Sequence, residues 1–305
     1  LSSFDHDKCG DDMTNTPYVS TEIATQPDLW RQVSDGFAQY GGALPKPGQR
    51  VAAVGCGTSW FMAMAYAALR EDTGQGETDA FAGSEFPAGR SYDVVVVISR
   101  SGTTTEVLDL IRATDLPTVA ITATAGSPIS ELADHTILLD FADEQSVVQT
   151  RFATTTLALL RASLGEDLQQ AAADAETALT VDADELAKLD QVTYVGTRWT
   201  VGLAHEAALK QREAASAWTE AYPAMDYRHG PIAIAQPGRG VWVFGEPPAG
   251  LLHDVAATGA TVVHHPDLDP MASLVVAQRV AVAKALALGL NPDQPRSLTR
   301  SVILD

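Results

Sequence analysis

Three side chains in Ala204-His-Glu-Ala-Ala-Leu-Lys-Gln-Arg-Glu213 have the types and spacing that proton transfer requires. Glu206, Lys210 and Glu213 stand at i, i+4 and i+7, so a helix would carry two carboxylates and an ammonium on one face. The bland reading of such a triplet is a solvated, salt-bridged face. The stretch Ala221-Tyr-Pro-Ala-Met-Asp-Tyr-Arg-His-Gly-Pro231 follows, an irregular loop that carries His229 ahead of Gly-Pro. A carboxylate and a histidine brought together could act as base and acid. From the residues alone both readings stay open.

A second group could hold an anion. Ser99-Arg100-Ser101-Gly102-Thr103-Thr104-Thr105 places five hydroxyls in seven residues, more than a helix cap needs. Just before it, Asp93-Val-Val-Val-Val-Ile98 reads as a strand buried on both faces, as in a parallel sheet. Val107, Leu108, Leu110 and Ile111 open a helix pattern just after it. The loop therefore joins a strand's carboxyl end to a helix's amino end, where free N–H groups and the helix dipole favour negative charge.

The elements around these residues repeat the theme. Arg50–Val54 is a strand, Gly55-Cys-Gly-Thr-Ser59 a turn bearing Gly57, Thr58 and Ser59, and Trp60–Arg70 a helix. The third glycine of a dinucleotide fingerprint would fall on Trp60 or Phe61, which are too bulky to approach a pyrophosphate, so that site is rejected. Cys56 reads as small and buried rather than reactive. Strands predicted at 79–82, 118–122 and 136–140, with helices at 106–112, 127–132 and 150–164, complete a right-handed parallel unit. Thr58, Ser59, Ser99, Ser101 and Thr104 would line one pocket at its switch point.

An acidic, alanine-rich helix over 165–190 links this unit to a second. There, strands are predicted at 191–195, 241–244, 261–264 and 302–304, with helices at 199–216, 249–257 and 271–289. The expected fold is α/β: two three-layer αβα sandwiches with parallel sheets, an internal duplication whose second copy has lost the anion loop. Residues 1–20 are expected to be a disordered tail, 21–165 the first unit and 166–305 the second. Met13 is a candidate natural start.

Composition limits the partners. The formal net charge of −19 argues against nucleic acid or an anionic membrane, and requires neutral donors for any anionic ligand. No run is long and uncharged enough to span a bilayer, Gln278, Arg279 and Lys284 interrupting the most apolar one. Cys9 and Cys56 form no disulfide framework, which fits a reducing cytoplasm. His264 and His265 with Asp267 and Asp269 could be drawn as a metal site, but adjacent strand residues face opposite ways, so no metal is expected. His135, His205 and His253 read as ordinary surface or interface residues.

Taken together, Gly55-Cys-Gly-Thr-Ser59, Ser99–Glu106, Glu206–Glu213, Arg228-His-Gly-Pro231 and Asp293–Ser301 resemble, in order, a tandem sugar isomerase (SIS) domain protein. The resemblance is to the isomerase half of glucosamine-6-phosphate synthase, and runs from about Thr21 to the last residue. It implies that Thr58, Ser59, Ser99, Arg100, Ser101 and Thr104 hold a sugar phosphate, with Gly57, Val147, Gln149 and Arg300 near the sugar. Glu213 would shuttle a proton between C1 and C2, while Glu206 and Lys210 orient sugar and base. His229 would assist ring opening from a partner subunit, which makes a homodimer necessary for activity. No cofactor is implied.

The departures from the family pattern matter too. Leu1 opens a short polar tail where the synthase has a glutaminase with a nucleophilic cysteine, so glutamine-derived ammonia is not expected. Arg300 replaces a tail lysine and forms no Schiff base at physiological pH, though it can bind hydroxyls or carboxylates. Val147-Val-Gln-Thr-Arg151 replaces smaller residues. An aldose–ketose isomerase of a hexose- or aminohexose-6-phosphate is the leading reading. A deaminase or deglycase using the same enolisation, and a non-catalytic sugar-phosphate sensor, are the alternatives. Glu213 together with His229 weighs against the sensor.

Overall fold

The computed structural model describes residues 16–87 and 89–304. In chain order the first part comprises α1 (Tyr18–Ala24), α2 (Gln26–Asp35), α3 (Phe37–Tyr40), β1 (Val51–Gly55), α4 (Thr58–Asp72), β2 (Thr78–Ala82), β3 (Val94–Ile98), α5 (Thr105–Ala113), β4 (Thr118–Thr122), α6 (Pro128–Leu132), β5 (His135–Leu138) and α7 (Arg151–Ser163). The second comprises α8 (Gln169–Ala178), α9 (Asp184–Ala187), β6 (Gln191–Gly196), α10 (Thr200–Ala215), β7 (Thr219–Pro223), β8 (Arg239–Phe244), α11 (Leu251–Ala257), β9 (Thr261–His264) and α12 (Pro270–Ala287).

Two parallel sheets result, ordered β2-β1-β3-β4-β5 and β7-β6-β8-β9. Buried strands need apolar residues on both faces, and the sequence supplies them with period two. Val51, Ala53, Val94, Val96 and Ile98 face one core, whereas Ala52, Val54, Val95 and Val97 face a second with Val107, Leu108, Leu110 and Ile111 of α5. The larger core continues through α4, α7, α10 and α12 to Tyr194, Trp242 and Phe244 of the other sheet. Beyond that sheet, Val195, Val241 and Val243 pack against Leu251 and Val255 of α11. Helices thus cover both faces of each sheet, and those between the sheets form one continuous core.

Several expectations change. Residues 1–15 of the expected tail lie outside the described residues, but α1 begins at Tyr18, where the Asp293 carboxylate accepts from Tyr18 N and Val19 N, each at 2.8 Å. Thr219–Pro223, partly read as loop, is the edge strand β7, paired with β6 from Val192↔Thr219 to Gly196↔Pro223. Residues 302–304 form no strand; they run as an extended tail along the start of α5, Thr105 N donating to Val302 O at 3.2 Å. The expected link helix α8 is a packed element, burying Ala171, Ala172, Ala175 and Ala178 among α2 and α12. By length and composition alone α12 could cross a membrane, contrary to the reading above, yet 67% of it is buried within the fold.

Candidate active site

The site begins where β1 and β3 end side by side, paired from Val51↔Val94 to Val54↔Val97. The chain leaves β1 toward β2 on one flank and returns to β3 on the other, so a crevice opens between their carboxyl ends. Gly55 closes β1 because a Cβ there would lie 2.5 Å from Ser59 C. The turn then passes Gly57 at φ 54° and starts α4 with the buried Thr58 and Ser59.

After β3 the hydroxyls of the second loop form a connected chain. Ser99 Oγ lies 3.5 Å from Thr104 Oγ1 and accepts from Gly102 N at 3.2 Å. Ser101 Oγ accepts from Thr103 N at 3.3 Å and Thr103 Oγ1 at 3.1 Å. Gly102 has φ 64°, and a Cβ there would collide with Ser127 Oγ at 2.2 Å, so only glycine admits this close turn.

Arg100 corrects one expectation. Its buried guanidinium turns away from these hydroxyls and donates to the carbonyls of Ser146 and Val147, both at 3.0 Å, with Glu144 at 3.4 Å. It builds the neighbouring loop instead of offering charge to an anion. Glu144, which no sequence motif singled out, organises that loop: it accepts from Thr150 N at 2.5 Å, Thr150 Oγ1 at 2.9 Å and Arg151 N at 2.9 Å, capping α7. Val147 and Gln149 lie on this loop, and Gln149 Oε1 is buried without a hydrogen-bond partner.

Glu206, Lys210 and Glu213 arrive from α10, which crosses α4 closely. A Cβ on Gly202 would sit 2.5 Å from Phe61 O and 2.9 Å from Ala65 N. The close crossing brings Lys210 Nζ within 2.9 Å of Thr58 Oγ1, to which it donates, and 2.5 Å of Glu213 Oε2. Glu206 Oε1 is 3.4 Å from the same ammonium, and neither oxygen of Glu206 has a hydrogen-bond partner. Glu206 and Lys210 are at most 1% exposed while the Glu213 side chain remains 18% exposed, so this is no solvated face.

Burial raises the Glu206 carboxyl to about 7; Lys210 works against that rise and Glu213 adds to it. Burial also presses on the Lys210 ammonium, but Glu206 and Glu213 outweigh it and hold Lys210 above its ordinary value. A buried cation flanked by one enclosed and one accessible carboxylate can hold a proton and pass it at Glu213.

The C-terminal tail completes the surroundings. Thr103 Oγ1 lies 2.9 Å and Thr104 Oγ1 3.4 Å from Ser301 Oγ, and Leu304 N donates to Thr105 Oγ1 at 2.9 Å. Arg300 donates to Glu144 O and Asp143 Oδ1, both at 2.5 Å. Ser301 and Asp143 had no individual signal in the sequence, since their roles come from pairings across more than 150 positions.

His229 is exposed, at the end of a 3-10 turn over Asp226–His229, and among the described residues it makes no hydrogen bond to the triplet. Three of the four residues drawn as a metal site are engaged with other partners. His264 Nε2 meets Gly245 O at 3.1 Å, His265 Nδ1 meets Ser273 Oγ at 3.0 Å, and Asp269 caps α12 and pairs with Arg161. Cys56 is half-buried and free, its thiol pushed up by burial, while Cys9 lies outside the described residues.

Residues 46–164 match the SIS domain family. That segment holds both hydroxyl loops and the Glu144 loop. Over 94% of its length the chain is 25% identical to glutamine–fructose-6-phosphate aminotransferase (isomerizing) of Bacillus subtilis strain 168. It spans only 51–58% of the length of the curated relatives it matches. Among solved structures, glucosamine-6-phosphate deaminase of Thermotoga maritima shares the fold with a TM-score of 0.79 at 23% identity, over 94% of this chain and all of that one. The C-terminal domain of glucosamine-fructose-6-phosphate aminotransferase from Francisella tularensis does so at 0.78 and 19%, over 92% and 99%. The SIS match thus covers the first sheet and its loops, and the similarity to the curated relatives extends over nearly the whole chain.

Proposed function

We propose that this protein interconverts the aldose and ketose forms of a hexose- or aminohexose-6-phosphate. The observation that carries the reading is the contact between Lys210 and Thr58, which joins a buried acid–base set to a hydroxyl-lined anion crevice. The phosphate would sit among Thr58, Ser59, Ser99, Ser101 and Thr104, at the start of α4 and α5, where neutral donors bind an anion despite the acidic chain. Glu213 would then take the proton from the carbon next to the carbonyl, leaving an enediol, and return it to the adjacent carbon. The Lys210 ammonium offsets the charge that develops on oxygen, and Glu206, able to hold a proton near neutral pH, moves the hydroxyl proton. His229 of a second copy would open the sugar ring, which makes the active form a homodimer. The matching strand orders β2-β1-β3-β4 and β7-β6-β8-β9 support an internal duplication with division of labour.

The test is exchange in D2O. Fructose-, glucose-, glucosamine- and galactosamine-6-phosphate would be incubated with the purified protein, and label and ammonia measured together. Deuterium at C1 or C2 with interconversion is expected. Ammonia released alongside label would move the assignment to a deaminase. Tight binding without label would replace catalysis with sensing.

A further inference from the structure

We propose that Ser301 is a phosphate ligand of this site and that Arg300 is the positioning residue that holds it there. The inference rests on the reading that the Ser99–Thr104 loop binds phosphate. Its starting point is the hydroxyl chain. Ser99, Thr104, Ser301, Thr103 and Ser101 are linked in that order by contacts of 3.5, 3.4, 2.9 and 3.1 Å. Four members come from the loop and the fifth enters from the far end of the chain, at the start of α5. A phosphoryl group has oxygens enough to accept from every hydroxyl in that chain, so a tail hydroxyl already seated among them is placed to donate as they do.

A serine on an extended tail needs a reason to stay. Backbone contacts supply part of it, through Thr105 N to Val302 O at 3.2 Å and Leu304 N to Thr105 Oγ1 at 2.9 Å. The other side of Ser301 is held by Arg300, whose planar guanidinium reaches the Asp143 carboxylate and the Glu144 carbonyl at once. A lysine offers a point charge where two acceptors require a fork. The same loop is fixed from beneath by Arg100 and by the bonds from Glu144 to Thr150 and Arg151. Arg300 is therefore engaged with the protein, and its task is to present its neighbour.

Calorimetry on the full chain with inorganic phosphate and with fructose 6-phosphate tests this. Ser301→Ala should weaken both by about tenfold, the loss of one hydrogen bond to a charged group. Arg300→Ala should weaken both to a similar degree, Arg300→Lys should recover only part, and the double variant Arg300→Ala/Ser301→Ala should bind no worse than Ser301→Ala alone. Hydrogen exchange over residues 296–304 should rise in Arg300→Ala and change little in Ser301→Ala. Ser101→Ala separates the possible failures. If Ser101→Ala weakens binding and Ser301→Ala does not, the phosphate site stands and the role of Ser301 is overturned. If the double variant is weaker than Ser301→Ala, Arg300 contacts the ligand itself and its positioning role falls. If neither serine affects binding, or the parent binds neither anion, the phosphate-site reading and this inference fall together.

Discussion

The turn from β1 into α4 and the turn from β6 into α10 are built alike and do different things. Each ends its strand on a glycine that the helix requires: a Cβ on Gly55 would lie 2.5 Å from Ser59 C, and one on Gly196 would lie 2.3 Å from Thr200 O. The difference is in where the hydroxyls go. Thr58 Oγ1 accepts from Lys210 Nζ at 2.9 Å, a partner on another helix. Thr200 Oγ1 is engaged within its own turn, accepting from Thr197 N at 2.8 Å and donating toward Thr197 O and Phe244 O at 2.9 and 3.0 Å. Arg198 supplies the left-handed residue there at φ 51°, and its guanidinium pairs with Asp72 at 2.5 Å. The first turn is the proposed phosphate site; the second closes on itself, and its helix carries the proposed proton-transfer residues about two to four turns further along.

The sharpest way to test that division is at the far end of α10. Glu213→Gln keeps the shape but removes the base, so turnover should fall by about 10²–10⁴ while sugar-phosphate affinity changes little. Steady-state kinetics beside calorimetry would read both quantities. Loss of binding with turnover per bound substrate intact would remove Glu213 from the base role and return the triplet to a structural one.

A second contrast follows from burial. Glu206 ionises near 4.5 when unfolded and at about 7 when folded. Between those values the folded chain holds a proton that the unfolded chain has released, so this group's contribution to stability is fully present below about pH 4.5 and is lost as pH rises through 7. The loss is at most about 3 kcal/mol. Glu206→Gln stays neutral throughout, so the stability of the variant relative to the parent should improve across that window. Denaturant unfolding at pH 5, 6, 7 and 8 measures it; parallel curves for the two proteins would show that Glu206 does not titrate there.

Most of the scaffold could be read from the chain because its signals are local. The apolar runs Val51–Val54 and Val94–Ile98 mark strands buried on both faces, and glycine followed by hydroxyls marks where they turn. β7 was partly missed because Thr-Glu-Ala-Tyr-Pro is short, mixed and ends in proline, which only an edge strand tolerates. Val302, Ile303 and Leu304 read as a strand because they are apolar, yet all three are more than half exposed and pair with no sheet. Within the site, helical spacing announced the triplet but not its burial, which depends on Gly202 letting α10 approach α4. Arg100 looked like an anion ligand by its place in the loop. Its direction is set by carbonyls at Ser146 and Val147, nearly fifty positions away, which no local pattern encodes.

The smallest expected effect compares the two turns directly. Thr58→Val and Thr200→Val make the same isosteric change, hydroxyl to methyl, at corresponding places. In the first turn the hydroxyl lost is a proposed phosphate donor and a Lys210 acceptor, while the ammonium keeps both carboxylates. KM for a phosphosugar should rise about tenfold with little change in Tm. In the second turn the loss leaves Thr197 N and the Phe244 carbonyl short of a partner in a buried corner, which costs about 1–3 kcal/mol of stability and should leave KM unchanged. Thermal unfolding and substrate saturation on the two variants give four numbers, and the pattern is what matters. A rise in KM in both variants would mean that the β6 turn also touches the ligand, and that the halves share the binding task instead of dividing it.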